Sequence, residues 1–567
     1  MYVLQLYNLT FDFMISFFKN ITKYKNIRAF IFIGLAMMFS FISSAQTFNQ
    51  IQKIVANDRM PYLRLGNDVV ISGDYAIVSA FLTNEDNSVY IYKKDNLGQW
   101  VQSQKIDSPE AINVNSFGHS VDIFGDYLIV GDDLYRISSP SNTFGAAYIY
   151  QKDHNNIWQY KQRILASDGQ SSDQFGYSVS IDSNICFISA IQNNSDRGAV
   201  YVFERNSSDI WVETTKIVAS DIAPNDSFSY SISNSNNTLV IGAPGEDHDE
   251  TGNLFIQSSG SVYVFEKAGL NNWLQVQKIV APDRSLNGGF GTSVALLDDR
   301  IIIGAGSINR QFDNAYYQTC GAYIYEKNPM GVWEFVQKLN PPDPADHLGF
   351  GNAVGLSDDY AIVSAIDERV DELGNTVGPY MGAVYAYKRQ PDGSYQQVQR
   401  IIASDKSEGD YFGRSVAIEG STLMVGAWRE DEDENGQNTI LETGSVYVFE
   451  ACPASIAMDT QVACGSYSWI DGLTYTSSTQ DETFTIPNAL GCDSIITLNL
   501  TIHPIDSIIE AVVECDVYNW NNLSLTQSGS YVSKGKNQFG CDSTFTLNLT
   551  IHNATNNIQQ KSACDSI

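Results

Sequence analysis

Short runs of β-branched and aromatic residues, separated by clusters of Gly, Asn, Asp and Ser, recur over most of the chain. Such runs are typical of β-strands, because branched and aromatic side chains pack well on a pleated surface. Four of these runs make up one unit, and the unit recurs seven times between Phe48 and Glu450. The pattern therefore predicts an all-β fold built from repeated four-stranded units.

Each unit carries four phrases in a fixed order. The first is a Gln-Lys-Ile strand, the second begins with Phe-Gly, the third is an apolar run ending in Gly-Ala or Ser-Ala, and the fourth reads Val-Tyr-Val-Phe or a variant. The Gln-Lys-Ile strands and their variants contain residues 52–54, 104–106, 162–164, 215–217, 277–279, 337–339 and 399–401. The regular order indicates that the units stack in one array.

This order of phrases resembles the FG-GAP repeats of the integrin α-subunit propeller and its bacterial relatives. The resemblance runs in register through all seven units. It implies an all-β, seven-bladed β-propeller at residues 46–451, an architecture in which radial repetition leaves only short, protected sheet edges.

The two ends of the array predict how the ring closes. The chain enters with a Gln-Lys-Ile type strand at Phe48–Ile54 and leaves after a Val-Tyr type strand at Val446–Phe449. No further Gln-Lys-Ile phrase follows Glu450, so the last blade lacks its outer strand. We therefore expect the N-terminal strand to close the propeller by completing that blade.

Residues that recur in nearly every blade are interpreted as scaffold. An Asp follows the Gln-Lys-Ile strand in six blades, at positions 58, 168, 221, 283, 343 and 405. We predict that it forms a turn, with its carboxylate accepting backbone N–H groups. The Phe-Gly pairs are predicted to fill the core between blades and to permit close approach of backbone near the axis.

The connection between the Gly-Ala and Val-Tyr strands differs among blades. It spans 8, 13 and 8 residues in blades one to three, but 16 or 17 residues in blades four to seven. Loops held by a rigid scaffold commonly form binding surfaces. The long, acidic loops of four contiguous blades therefore predict a raised binding patch on one face.

Two of these loops have a spacing of oxygen ligands that suits a hard cation. The candidate ligands are Asp431, Asp433, Asn435, Thr439 and Glu442 in blade seven, and Asp247, Asp249 and Thr251 in blade four. Calcium is the predicted cofactor, and the alternative is a solvated acidic loop with accidental spacing. Integrin calcium loops lie between the first two strands of a blade, where the turns of this chain are too short. The resemblance itself therefore does not supply a calcium site.

Composition restricts the partners. The 567 residues include 65 Asp and Glu against 34 Lys and Arg, which gives a net charge of −31. Such a field repels phosphate backbones, so nucleic-acid binding is excluded as a first hypothesis. An extracellular protein or a glycan is the expected partner, bound by a monomeric propeller within a longer chain.

The N-terminus has the pattern of a secretory signal. Basic residues between Lys19 and Arg28 precede an apolar run at 29–44, and small residues lead to Ala45. We predict a signal peptide at 1–45, no membrane span after its cleavage, and a secreted or cell-surface location. A membrane anchor is the alternative, although the apolar run is short for a span.

Two cysteine-containing repeats follow the array, at 452–504 and 505–553, and residues 554–567 are interpreted as the start of a third. They resemble the tandem repeats of large surface proteins in Bacteroidetes-type bacteria. Modules of this size make a poor core, so disulfide-stapled β-modules are expected in an exported chain. We predict the pairs Cys464–Cys492 and Cys515–Cys541.

Motifs for catalysis are not found. The sequence contains no His-Glu-x-x-His, nucleophile elbow, P-loop or dinucleotide fingerprint. The expected function is adhesion or recognition at the cell surface through the long loops of blades four to seven, and not enzymatic activity. Two alternatives stay open: a structural envelope component without a discrete ligand, and a secreted carbohydrate-active enzyme, since such an enzyme needs only two carboxylates.

Overall fold

The computed structural model describes residues 48–81, 87–109, 116–135, 144–306, 321–340, 349–369, 378–451, 455–487 and 493–554. The chain divides into two compact units, which meet in sequence between Cys452 and Pro453. The predicted signal peptide lies outside the described residues. Within these residues, no helix is long and apolar enough to cross a bilayer.

Within the described part of the first unit, the strands form seven four-stranded antiparallel sheets, which fit a β-propeller. In chain order they are β1(Phe48–Ile54), β2(Leu65–Ser72), β3(Tyr75–Ala80), β4(Ser88–Lys94), β5(Trp100–Asp107), β6(Val121–Phe124), β7(Tyr127–Asp132), β8(Ala146–Lys152), β9(Trp158–Ile164), β10(Phe175–Asp182), β11(Ile185–Ala190), β12(Ala199–Arg205), β13(Trp211–Ile217), β14(Ser231–Ser235), β15(Thr238–Ala243), β16(Ser261–Gly269), β17(Asn272–Ile279), β18(Phe290–Leu297), β19(Arg300–Ala305), β20(Gly321–Lys327), β21(Trp333–Leu339), β22(Phe350–Leu356), β23(Tyr360–Ala365), β24(Ala383–Arg389), β25(Tyr395–Ile401), β26(Phe412–Glu419), β27(Thr422–Ala427) and β28(Ser445–Ala451). A four-residue helix, α1(Asn193–Asp196), lies between β11 and β12.

The predicted ring closure is confirmed. The last sheet has the order β1-β28-β27-β26, and β1 pairs antiparallel with β28 from Phe48 opposite Ala451 to Ile54 opposite Val446. Blade seven also packs against blade one, because Met424 and Val446 share a buried cluster with Val78. The first and last parts of the array are therefore joined without a covalent bond.

The core lies between neighbouring sheets. The Phe of each Phe-Gly pair is buried, and Phe290 for example makes an edge contact with Tyr323 of its own blade at 5.2 Å between ring centroids. The following Gly has positive φ and lies against the preceding blade: a Cβ at Gly351 would stand 2.4 Å from the carbonyl oxygen of Gly321. The predicted roles of Phe and Gly are confirmed.

The Gln of the Gln-Lys-Ile phrase holds the outer strand of the next blade. Its side-chain amide accepts the N–H and donates to the carbonyl of one residue there, as Gln52 does with Trp100 at 2.9 and 2.8 Å. The pair Gln399 and Phe48 makes the same contact where β1 enters blade seven. The other described pairs are Gln104 with Trp158, Gln162 with Trp211, Gln277 with Trp333 and Gln337 with Tyr395.

The repeated Asp does more than form the predicted turn. Its carboxylate accepts the Tyr hydroxyl of the next blade's Val-Tyr strand and the Lys ammonium of that blade's outer strand, as Asp58 does with Tyr90 at 2.9 Å and Lys105 at 2.7 Å. The same triads occur at Asp168 with Tyr201 and Lys216, Asp221 with Tyr263 and Lys278, Asp283 with Tyr323 and Lys338, and Asp405 with Tyr447 and Lys53. The turn interpretation was therefore incomplete, because the partners belong to another blade.

The second unit contains two similar modules. The first has a three-stranded sheet of β29(Ser455–Cys464), β32(Thr479–Pro487) and β33(Asp493–His503), with a small hairpin of β30(Tyr467–Ser468) and β31(Thr474–Tyr475). The second has β34(Ser507–Cys515), β37(Gly529–Lys536) and β38(Asp542–His552), with β35(Tyr518–Trp520) and β36(Leu523–Leu525). In each module the first and last strands run parallel.

The predicted disulfide pairing is wrong. Cys464 bonds to Cys541, and Cys515 is an exposed free thiol, so neither Cys464–Cys492 nor Cys515–Cys541 forms. Cys492 itself lies outside the described residues.

The parallel pairing explains this bond. Cys464 ends β29 opposite His503, the last residue of β33. The chain continues from His503 into β34, whose first residue, Ser507, pairs with Thr544 near the start of β38, and Cys541 directly precedes β38. The end of one module thus lies beside the start of the next, and the disulfide joins the two modules instead of stapling each one.

Candidate functional site

One face of the propeller carries both the long loops and the starts of the inner strands. Because the strands of each sheet are antiparallel, the Gly-Ala to Val-Tyr connections emerge on the same face as the connections that enter each Phe-Gly strand. We call this the loop face. The tips of the blade-five and blade-six loops, at 307–320 and 370–377, lie outside the described residues.

The loops of blades four and seven share one hydrogen-bonding plan. The carbonyls of Asp247 and Asp431 each accept an arginine Nη2 at 2.7 Å, from Arg284 and Arg59 respectively. The carboxylates of the same two Asp residues accept backbone N–H groups eleven positions on, at 2.6 and 2.5 Å. Both acids therefore fix the base of their loop.

A buried Glu anchors each of these loops. Glu430 accepts the Tyr447 hydroxyl at 2.7 Å and pairs with Lys53 at 3.3 Å. Glu246 stands in the same relation to Tyr263 and Lys278. A hydrogen bond with the Glu432 side chain, the Lys53 ammonium and the Tyr447 hydroxyl together outweigh the burial of Glu430 and hold its pKa below its usual range.

The residues at the loop tips cap their own turns. Asp433 accepts the N–H groups of Asn435 and Gln437, each at 2.9 Å. Asp249 accepts the Thr251 hydroxyl at 2.7 Å and the Thr251 N–H at 3.0 Å, and these hydrogen bonds lower the pKa of Asp249 to about 2. The alternation of Asp, Asn and Thr thus satisfies backbone donors within the loops.

The candidate calcium ligands are not gathered around one point. The Glu442 carboxylate accepts two N–H groups of Arg64, at 2.8 and 2.5 Å, while Asp431 and Asp433 face backbone donors. Thr439 has no described contact with either Asp. In the described part of the chain, no group of three or more His, Cys, Asp or Glu residues is arranged to hold a metal ion. Calcium binding stays a prediction.

A second candidate site lies on the axis. The inner strands of all seven blades line a cavity of about 530 Å³. The residue directly after each Phe-Gly pair or its variant lines this cavity where the strands begin on the loop face. These seven residues are Asn67, His119, Tyr177, Tyr230, Thr292, Asn352 and Arg414. We call them the mouth residues.

Five mouth residues form a continuous wall. Arg414 donates to the Asn67 side-chain oxygen at 3.2 Å, and the Asn67 amide lies 3.4 Å from the His119 carbonyl. The His119 ring lies 4.6 Å from the Tyr177 ring, which lies 5.3 Å from the Tyr230 ring. Thr292 and Asn352 complete the circle with short side chains, so the mouth has an aromatic side and an open side.

Arginines gather beside this mouth. The guanidinium carbons of Arg64, Arg414 and Arg429 lie 5.1, 5.0 and 5.2 Å from the Trp428 ring. Tyr411 makes an edge contact with the same ring at 6.2 Å. In a chain of net charge −31, three guanidinium groups on one indole are a local departure from the acidic surface.

The mouth residues were not predicted from the sequence. They occupy one position of the repeat, yet they differ in every pair of blades except the two Tyr and the two Asn, while the Phe and Gly before them recur. A position that varies inside an otherwise repeated phrase is the sequence signal that could have identified these residues. What the sequence could not give is that all seven positions meet around one cavity.

A family model described as FG-GAP repeat matches seven consecutive segments, at residues 48–92, 100–150, 158–203, 211–265, 273–325, 333–387 and 395–449. Each segment contains the outer strand of one sheet and the three inner strands of the next, so the sequence repeat straddles two blades. A comparison with curated proteins finds no match.

Proposed function

The chain belongs to the FG-GAP repeat family, and from this premise we propose that it is an exported recognition protein that binds an extracellular protein or glycan through its loop face. Within that family, the integrin-like propeller is a domain for recognition and adhesion. The repeated Gln, Asp, Tyr and Lys contacts build the frame, and the loops it holds are free to differ.

One observation carries this proposal. Leu254 and Phe255 project from the acidic blade-four loop with 57% and 59% of their surface exposed. The exposed Leu286 belongs to the neighbouring connection, which is tied to the same loop by the hydrogen bond from Arg284 to the Leu254 carbonyl. Exposed apolar side chains clustered within a polar rim are typical of an interaction surface.

The test is binding of the purified full chain to an array of extracellular matrix proteins and glycans. The double variant Leu254→Ser/Phe255→Ser is compared with Leu270→Ser, at an exposed apolar residue in a turn on the opposite face. We expect the parent chain to bind. The loop variant should bind with at least tenfold lower affinity, and the control should bind as the parent does. Binding that all three proteins share equally would contradict the loop-face proposal.

Calcium binding is a separate prediction with a test of its own. A cation bound by Glu442 at the blade-seven loop would compete with the ion pair between Glu442 and Arg64. The melting temperature is compared in excess calcium and in EGTA for the parent and an Asp431→Asn/Asp433→Asn/Glu442→Gln variant. A calcium-dependent rise lost in the variant would uphold the prediction, because a ligand that binds only the folded state stabilises it. An unchanged melting temperature would remove calcium from the proposal.

A further inference from the structure

The mouth residues differ from the frame that surrounds them in one respect. The serines that follow several of them bond to the neighbouring blade, as Ser231, Ser293 and Ser415 do with the carbonyls of Gly291, Gly351 and Gly66. These contacts repeat because they hold the blades together. The mouth residues also contact their surroundings, as Thr292 does through its hydroxyl with the carbonyls of Gly289 and Gly306. Their side chains, however, differ from blade to blade, which the propeller geometry does not require.

The carboxylates of the cavity wall belong to the frame. Asp68 accepts the N–H of Val121 at 2.8 Å, and Asp122 accepts the N–H of Ile181 at 2.8 Å, each in the next blade. Burial raises the pKa of Asp122 to about 7, which reduces its charge at neutral pH. These two acids therefore link inner strands and do not make the mouth a site for cations.

The mouth carries a positively charged group, in contrast to the carboxylates of the cavity wall. Arg414 is the one Lys or Arg among the described residues that line the cavity. It lies between the Asn67 amide and the Trp428 ring, and Arg64 and Arg429 contact the same indole. The guanidinium of Arg414 can pair with an anionic group that enters the mouth, and a guanidinium suits a carboxylate in particular.

The remaining mouth groups suit a sugar. Tyr177 and Tyr230 lie side by side in the cavity wall, with 5.3 Å between their ring centroids, and aromatic rings are surfaces on which the apolar face of a pyranose packs well. The Asn67 amide already bonds to Arg414 and to the His119 carbonyl. The Asn352 amide and the Tyr hydroxyls can both donate and accept, as a ring of sugar hydroxyls requires. A cavity of about 530 Å³ falls within the usual range for small-ligand sites.

We propose that the axial mouth binds the end of an acidic glycan, with a uronate ring packed on Tyr177 and Tyr230 and its carboxylate paired with Arg414. This inference deepens the recognition function and rests on it. The acidic glycan is proposed to bind at the axis of the propeller, and the loop tips are proposed to make further contacts with it.

The test is isothermal titration of the full chain with tetragalacturonate, in EGTA so that calcium does not bridge the acid. The fully methyl-esterified tetramer is the matched ligand, because it keeps the rings and removes the charge. We expect the ester to bind at least tenfold more weakly. Arg414→Gln should weaken binding of the acid by about 10- to 100-fold, as the loss of a charge-assisted hydrogen bond implies.

Further variants test the aromatic wall and the position of the site. Tyr230→Leu should also weaken binding, and Asn352→Trp should block the mouth without touching Arg414. Tyr160→Leu, at an exposed Tyr on the outer strand β9, is the control and should bind as the parent does. If Tyr230→Leu fails to fold, Arg414→Gln and Asn352→Trp still decide the question, with melting temperatures confirming their folding.

Three results would overturn the inference: no binding of the tetragalacturonate, equal binding of the ester, or unchanged binding by Arg414→Gln and Asn352→Trp. Array binding that depends on Leu254 and Phe255 but not on the mouth would overturn this inference alone and leave the proposed function standing. If the parent chain binds nothing on the array and does not bind tetragalacturonate, both proposals are overturned together.

Discussion

At the scale of single residues, the repeated polar side chains act between blades. Lys53 is the best example, because its side chain is 3% exposed and its ammonium reaches both Asp405 and the buried Glu430. Lys105 makes the equivalent contact with Asp58 in blade one, where both groups are partly exposed. The same phrase thus has a different energetic weight in blade seven, and in blade four where Lys278 pairs with Asp221 and Glu246, from its weight in blade one.

Replacing Lys53 tests this difference. Lys53→Met keeps the length of the side chain but leaves two carboxylates without their cation, which should cost about 3–5 kcal/mol of unfolding free energy. Lys105→Met is the matched control, since both ammonium groups also lie over a Tyr ring, and it should cost at most about 1 kcal/mol. The measurement is chemical denaturation followed by tryptophan fluorescence. Equal losses would contradict the argument.

Asp132 gives a prediction about pH. It stands where six blades have the strand-end Ala, and burial raises its pKa from 3.8 to about 7. Between these values the folded state binds more protons than the unfolded state, so the contribution of Asp132 to stability falls as pH rises and is lowest above pH 7. The variant Asp132→Asn cannot ionise and can still accept the Ser116 N–H.

We therefore expect Asp132→Asn to match the parent near pH 5 and to melt at a higher temperature at pH 8. Scanning fluorimetry of both proteins at the two pH values checks this. A difference in melting temperature that stays the same at pH 5 and pH 8 would show that the Asp132 carboxyl does not titrate in this range.

At the scale of secondary-structure elements, the molecule depends on strands that complete a neighbour. The sequence repeat straddles two sheets, so six junctions between blades are covalent and the seventh depends on β1 and β28. The second unit applies a related principle, since a disulfide joins the end of β29 to the start of β38. Both features follow from the way successive units share an edge.

Removal of β1 should open the ring. A chain that starts at Asn57 exposes the edge of β28 and loses the contacts of Lys53, so its melting temperature should fall by many degrees. A synthetic peptide of residues 46–56 added in excess should restore part of the loss by mass action. A scrambled peptide is the control. A deletion with the melting temperature of the parent would show that the closure contributes little.

Cysteine labelling tests the arrangement of the modules. Without reductant, a maleimide should modify the exposed Cys515 but neither Cys464 nor Cys541, as peptide mass spectrometry would show. Because Cys515 ends β34 as Cys464 ends β29, a further copy of residues 505–553 placed after residue 553 should protect it. A copy carrying Ser in place of its second Cys is the control. Continued labelling of Cys515 with the intact copy would contradict the register argument.

At the scale of the whole molecule, net charge opposes compactness. The 567-residue chain carries a net charge of −31, so its like charges repel one another, and added salt screens this repulsion more than it weakens the buried ion pairs. We expect the melting temperature of the chain to rise between 20 mM and 300 mM NaCl, measured in EGTA. Equal concentrations of KCl are the control for specific ion binding. A fall in melting temperature would show that the surface ion pairs outweigh the net repulsion.

Much of the fold could be predicted from the sequence. The strand phrases placed β1 at Phe48–Ile54, gave seven repeats, and located the missing outer strand of the last blade. These features are local, because alternation of side chains and turn residues sets a strand, and repetition sets the number of sheets. The sequence also predicts the acidic loops of blades four and seven, but not the backbone and arginine groups that their carboxylates contact, and calcium binding stays a prediction.

Only the tertiary structure determined which side chains are in contact. Asp58 meets Tyr90 and Lys105 across a blade boundary, Cys464 meets Cys541 across a module boundary, and the seven mouth residues meet around an axis. Each of these groups is separated by tens or hundreds of residues in the chain. Local patterns determine which segments become strands, whereas the packing of sheet against sheet determines which side chains those strands bring together.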